Sequence, residues 1–457
     1  MQRALGYDNS PALPVPLRFF LNVPLFALLA AALILWAGPA ALASRWAPAT
    51  LALTHLFTLG ILGSAMLGAT MQILPVACNV HFPQAERLAP WIWGSLTLGT
   101  FTLVLGFLEM RASLFDAASL LLAAAFAGFI GLAAAGLWQG RQLAYPGARE
   151  ILRAIRIALL ALALTVALGL TLAAALAHGL PLTGLASLHV LWGLGGWAGI
   201  LLIGISFQLI PIFQVTEIYP RALTRWLAIA ILSMAIAWTL LASLPGAPAT
   251  GIAGLALAAA YGLYAATTFH LLWTRKRPKA EPTTLFWRFA MLCLLGCMPA
   301  WLWLVARPSQ AAALVLGSLI IAGTLYSAVN GMLYKILPFL LWKHAQDALA
   351  TPGRDLALAR ATLRTMPKID AYLPEARANG QFIAHALAVL TWLGACVAPA
   401  RLIYAAGLLF LISSLWLAVN LARALRLYRQ TLRAIAALPP TGAPAGVRAH
   451  SNVDKSA

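Results

Sequence analysis

Three histidines in this chain, His55, His178 and His189, are of a type and in a setting that could do chemistry. Each stands at the edge of a long apolar run, where an imidazole without a partner is costly and turns toward other protein groups. A neutral imidazole offers one lone-pair nitrogen, which makes it a good copper ligand and a good axial ligand for haem iron. His55 precedes Pro75 by 20 residues and His189 precedes Pro211 by 22, so the two lie at nearly the same depth on their helices. They are the candidate cofactor ligands. His178 closes the apolar run before His189 and is a third candidate metal ligand, nearer the water interface. The plainer role for any one of them is a hydrogen bond to a neighbouring helix. His81, His270, His344, His385 and His450 are placed at the cytoplasmic side or in the tail.

The prolines that set this depth belong to a recurring motif. Residues 68–75 read GATMQILP, 204–211 read GISFQLIP and 331–338 read GMLYKILP. In each, the proline (Pro75, Pro211, Pro338) removes a backbone donor and is expected to kink or end the helix. The glycine admits a neighbouring helix closely. The polar residue three before the proline (Gln72, Gln208, Lys335) can satisfy a freed carbonyl. Lys335 is expected to snorkel to the headgroups. With Asn330, these polar residues are the candidate lining of a path at the inner side.

Composition dictates the elements that must position them. Of 457 residues, 62% are hydrophobic and 9% charged, against about 25% charged in a soluble domain. Runs long enough to span a bilayer fall at about 18–38, 49–76, 89–109, 115–138, 152–178, 184–213, 225–244, 250–273, 285–305, 311–341, 381–398 and 401–425. They are continuously apolar rather than alternating, which predicts twelve helices in preference to a barrel. The motif sits on the second, sixth and tenth. It therefore predicts three pseudo-symmetric four-helix units, at about 18–138, 152–273 and 285–425, related by an axis along the membrane normal.

With residues 1–17 cytoplasmic, the outer connections hold only Arg45, Arg111, Arg307 and Arg401, leaving 27 of the 31 Lys and Arg at the inner face. That bias predicts a bacterial-type inner membrane protein with both termini cytoplasmic. The net charge of +19 is topological, because no continuous basic patch exists to bind nucleic acid. The one long connection, 343–380, is expected to carry an amphipathic surface helix over 355–365. The tail, 426–457, has no apolar period after residue 438 and is expected to be disordered there. Cys293 and Cys297 lie one helical turn apart and read as packing residues, and all twelve carboxylates fall in loops, tails or span ends. A proton-coupled transporter would place one at mid-membrane.

Twelve spans in three arcs, with a histidine at the outer end of the second and another on the sixth, resemble the catalytic subunit of the haem-copper oxidases and nitric oxide reductases. The segments LTHLFTLG at 53–60 and LHVLWGLGGW at 188–197 are similar to helix openings of NnrS-type membrane proteins, a haem- and copper-containing group linked to nitric oxide metabolism. His55 matches the position of the oxidase family's low-spin haem ligand. The resemblance implies a haem or copper cofactor, and a respiratory complex or c-type cytochrome as partner. It departs where the oxidases build their binuclear centre, because the seventh span has no histidine and the tenth has none before His344. A terminal oxidase is therefore not expected. The expectation is a haem- or copper-binding protein of electron transfer, sensing or assembly. The alternatives are a small-solute transporter, or a non-catalytic membrane partner of a respiratory complex.

Overall fold

The computed structural model describes residues 6–142, 145, 148–181, 184–242, 249–350, 362 and 366–437. Among them, twelve helices are long and apolar enough to cross a bilayer: α1 (Pro14–Leu42), α2 (Pro48–Cys78), α3 (Ala85–Glu109), α4 (Ala112–Gln142), α5 (Arg149–His178), α6 (Leu185–Gln214), α7 (Arg221–Ala242), α8 (Gly251–Trp273), α9 (Pro282–Ala306), α10 (Gln310–Leu349), α11 (Glu375–Val397) and α12 (Pro399–Ala436). The described residues contain no strand, and the protein is an all-α multi-pass membrane protein. Side chains such as Leu120, Leu160, Ile252 and Trp36 stand exposed around the bundle. Such an apolar surface around twelve spanning helices suits contact with lipid.

Burial grades across the helices. In α2 and α6, 72% of the apolar window is buried, against 22% in α7 and α8, with α1 at 61% and α10 at 50% between the extremes. The cavity walled by α2, α6 and α10 marks the three that meet centrally, and the other nine follow one another around them. In that ring α4 packs on α5, α8 on α9 and α12 on α1.

The three inner helices share a deformation. Each opens from α-helical to wider π-helical turns, at Leu56–Gly63, Leu191–Gly199 and Leu319–Tyr326. Each π stretch ends twelve residues before the motif proline. Two glycines eight residues apart then meet the preceding outer helix. Gly60 and Gly68 face Phe26 and Phe19 of α1, Gly196 and Gly204 face Ala161 and Ala154 of α5, and Gly323 and Gly331 face Cys293 and Phe286 of α9. The contacted residues are seven apart in every case, the spacing of one helix seam. A Cβ added at any of the six glycines would come within 2.9 Å of its neighbour, so these are contacts only glycine permits.

The motif proline ends two of the helices and not the third. After Pro75, α2 stops at Cys78 with Asn79 at φ +57°, and after Pro211, α6 stops at Gln214 with Val215 at φ +53°. After Pro338, α10 continues to Leu349, past its expected end. Ala345 and Leu349 bury there against Ile435 of the likewise extended α12, and that packing holds the helix together beyond the proline. The surface helix expected over 355–365, apart from residue 362, and the tail after 438 lie outside the described residues.

Candidate functional site

His55 and His189 are brought together. Their ring centroids are 6.4 Å apart and their planes differ by 22°. Both sit at or just before the start of a π stretch, where the wider turns re-aim side chains. The Nδ1 of His55 lies 2.8 Å from the Leu51 carbonyl one turn back on α2. The Nδ1 of His189 reaches across to the Thr165 carbonyl of α5, at 3.0 Å.

A carbonyl only accepts, so each Nδ1 must carry the proton and donate, which leaves a lone pair on each Nε2. Neither Nε2 has a hydrogen-bond partner among the described residues. Phe107 of α3 lies 5.0 Å from His55 with its ring tilted by 30°, and is backed by Phe115 of α4. On α5, Gly169 makes the room for His189, since a Cβ there would lie 2.9 Å from its Cε1.

An imidazole whose other nitrogen donates to a carbonyl is oriented and made more basic, as metal-bound histidines usually are. The His55 and His189 rings, with centroids 6.4 Å apart, would hold a metal ion through their Nε2 atoms. No group of three or more His, Cys, Asp or Glu side chains among the described residues could hold a metal ion.

The other candidates are dispersed. His178 is exposed, with its Nε2 3.3 Å from Asp116 Oδ1. Gln72 and Gln208 are buried, with unpartnered amide atoms. Gln72 borders an apolar cavity of about 40 Å³ between the inner helices, walled by Ile73, Leu209 and Ile336, each the residue after a motif polar position. Pro75, Pro211 and Pro338 are buried within their helices. Cys297 Sγ lies 3.4 Å from the Cys293 carbonyl, an ordinary packed pair within α9.

Two expectations are corrected. Lys335 does not snorkel to headgroups: its Nζ lies 2.7 Å from Glu281 Oε2. The α8–α9 connection brings a carboxylate within ion-pair distance of it. Burial raises the Glu281 pKa, but Lys335, Arg275 and Arg277 outweigh it and hold the carboxyl below the usual carboxylate range. His385 is not at the cytoplasmic surface either. Because α11 begins at Glu375, His385 stands ten residues inside it, fully buried. Its Nε2 meets Ser327 Oγ at 2.8 Å, and its Nδ1 meets Asn330 Nδ2 at 3.4 Å. Asn330 thus has its Nδ2 at His385, while its Oδ1 is buried without a partner among the described residues.

A second buried network was missed in the sequence. Asn22 of α1 donates to Ser64 Oγ at 3.0 Å and to Thr97 Oγ1 at 2.9 Å, and accepts from Trp93 Nε1 at 3.0 Å. Ser64 and Ser327 both stand eleven residues before their motif proline, directly after the π stretch. Extending the motif back by that distance would have found both. No family model matches the chain, and no curated protein is significantly similar to it.

Proposed function

We propose that this protein binds one metal centre, haem iron or else copper, through the Nε2 atoms of His55 and His189. In this reading it serves respiratory or nitric-oxide-related electron transfer, sensing or assembly. One observation carries the reading: two imidazoles from different helices lie 6.4 Å apart, each held by a carbonyl at Nδ1. Haem suits a two-imidazole site best, because the macrocycle supplies the remaining iron ligands. Such a centre would supply one-electron chemistry when bound. The chain's own task is to hold the two rings at fixed separation and tautomer. The second metal of an oxidase would require histidines that α7 does not have.

The glycine pairs, π stretches and prolines that match across α2, α6 and α10 support a reading of α1–α4, α5–α8 and α9–α12 as three related units on an oxidase-like scaffold. The distribution of Lys and Arg supports a bacterial inner membrane with both termini cytoplasmic. A respiratory complex or c-type cytochrome is the partner this reading implies.

The test is a reduced-minus-oxidised spectrum and a metal assay on detergent-purified protein expressed with ample haem and copper. The expected result is about one haem or one copper per chain, reduced at least about tenfold in His55→Ala, the loss of a principal ligand. Clean protein containing neither overturns the proposal. A second reading, a small-solute pathway, has in its favour the cavity beside Gln72. Uptake into vesicles that survives His55→Ala and is lost in Gln72→Leu would favour it.

A further inference from the structure

At the basic end of the bundle, where α6, α8, α9 and α10 meet, basic side chains gather with donors that find no acceptor. Arg275, in the α8–α9 connection, is only 7% exposed. Its Nη1 donates to Thr284 Oγ1 and lies 3.4 Å from Gln214 Oε1. Its Nη2 is 3.7 Å from Glu281 Oε1, an ion-pair distance but too long for a hydrogen bond. Among the described residues its Nε and Nη2 therefore remain unpartnered, and so do Nε2 of Gln214, which is 1% exposed, and Nε of Arg288. All four of these orphaned atoms are N–H donors.

The charges are unbalanced in the same sense. Glu281 faces Arg275, Arg277 and Lys335, at 3.7, 3.1 and 2.7 Å. Arg288 stands close enough to act electrostatically on Arg275. The other carboxylates nearby are engaged: Glu217 pairs with Lys276 at 2.9 Å and Glu375 with Lys279 at 2.8 Å. Among the described residues, one carboxylate thus answers four cations. Buried donors without acceptors are destabilising, and a cluster of them beside excess positive charge calls for an anion with several oxygens.

We propose that Arg275, Arg288 and the Gln214 amide form a binding site for a phosphate-class oxyanion at the basic end of the bundle. The position points to a lipid headgroup as its source. The Arg288 guanidinium lies 4.9 Å over the ring of Trp273, which is 65% exposed, and tryptophan of that kind marks the headgroup level of a bilayer. A basic pocket between helices at that level is where anionic headgroups bind. The site owes nothing to the His55–His189 pair.

The experiment is native mass spectrometry of the full chain in detergent, titrated with phosphatidylglycerol and separately with phosphatidylcholine. In parallel, thermal unfolding of delipidated protein is followed with inorganic phosphate. The expected result is phosphatidylglycerol retained at least about tenfold better than phosphatidylcholine, with that preference lost in Arg275→Gln and Arg288→Gln. It should persist in Arg426→Gln, an exposed arginine of α12. Arg288→Gln suffices if Arg275→Gln does not fold, because Arg288 is less buried. Stabilisation by phosphate, lost in the same variants, would identify a free anion as the source instead. The proposal is overturned if phosphatidylglycerol shows no preference and phosphate no effect. It is equally overturned if either effect persists unchanged in both variants.

Discussion

The chemistry of the His55–His189 pair depends on which nitrogen carries the proton, and two backbone carbonyls decide that. Leu51 and Thr165 fix Nδ1 as the donor, so both lone pairs are on Nε2. The ring of His189 keeps its place because Gly169 has no side chain. We expect Gly169→Ala to leave the helix as stable as before or up to about 1 kcal/mol more stable, since alanine is the better helix former. The same substitution should lower cofactor content by displacing the ring, as read by absorbance per chain beside a melting curve. At the other end of the molecule, Glu281 pairs with Lys335, and both side chains are less than a third exposed. Its carboxyl is held below the usual range, about 4.3 for glutamate. The stability it contributes is therefore complete above that value and lost as pH falls through the lowered one. Glu281→Gln should cost roughly 1–3 kcal/mol at neutral pH. It should also flatten the loss of thermal stability that we expect of the parent protein as pH falls below the usual carboxylate range.

Within single helices, the π stretches rank with the prolines as the features that set side-chain direction. A helix turns about 100° per residue, so the extra residue accommodated by a π turn changes which side chains face the interior on one side of it relative to the other. In α6 the stretch lies between His189 and the Gly204 contact with α5, and Gly196 stands within it. Deleting Gly195 should return the segment to α-helix and rotate His189 away from His55. Folded protein that elutes normally but has lost its cofactor is the expected outcome, and retention of the cofactor would count against the His189 assignment. Gly331 illustrates the packing side of the same design. Its missing Cβ would lie 2.5 Å from Phe286 Cβ, so Gly331→Ala should destabilise the protein by about 1–3 kcal/mol, measured by thermal unfolding in detergent.

For the molecule as a whole, the number and type of helices were legible from residue order. A bilayer demands about twenty apolar residues per crossing and tolerates little else, and the run of each span follows from that. The motif could also be read, because Gly68, Gly204 and Gly331 stand seven residues before their prolines wherever the chain folds. Helix ends were less legible: Pro338 would stop a lone helix, but α10 runs on because Ala345 and Leu349 find Ile435, a partner about ninety residues away in sequence. His385 was misplaced for the same reason, since only the neighbouring α10 supplies Ser327 and Asn330 to receive it. Lys335 likewise could not reveal Glu281 from its own helix. The sequence by itself determined a twelve-helix membrane bundle and the matched depth of two histidines, because transfer to lipid acts on each segment independently. Only the tertiary structure decided that those histidines meet, that a carbonyl holds each one, and that Arg275 is buried without enough acceptors, because these depend on which helix faces become neighbours.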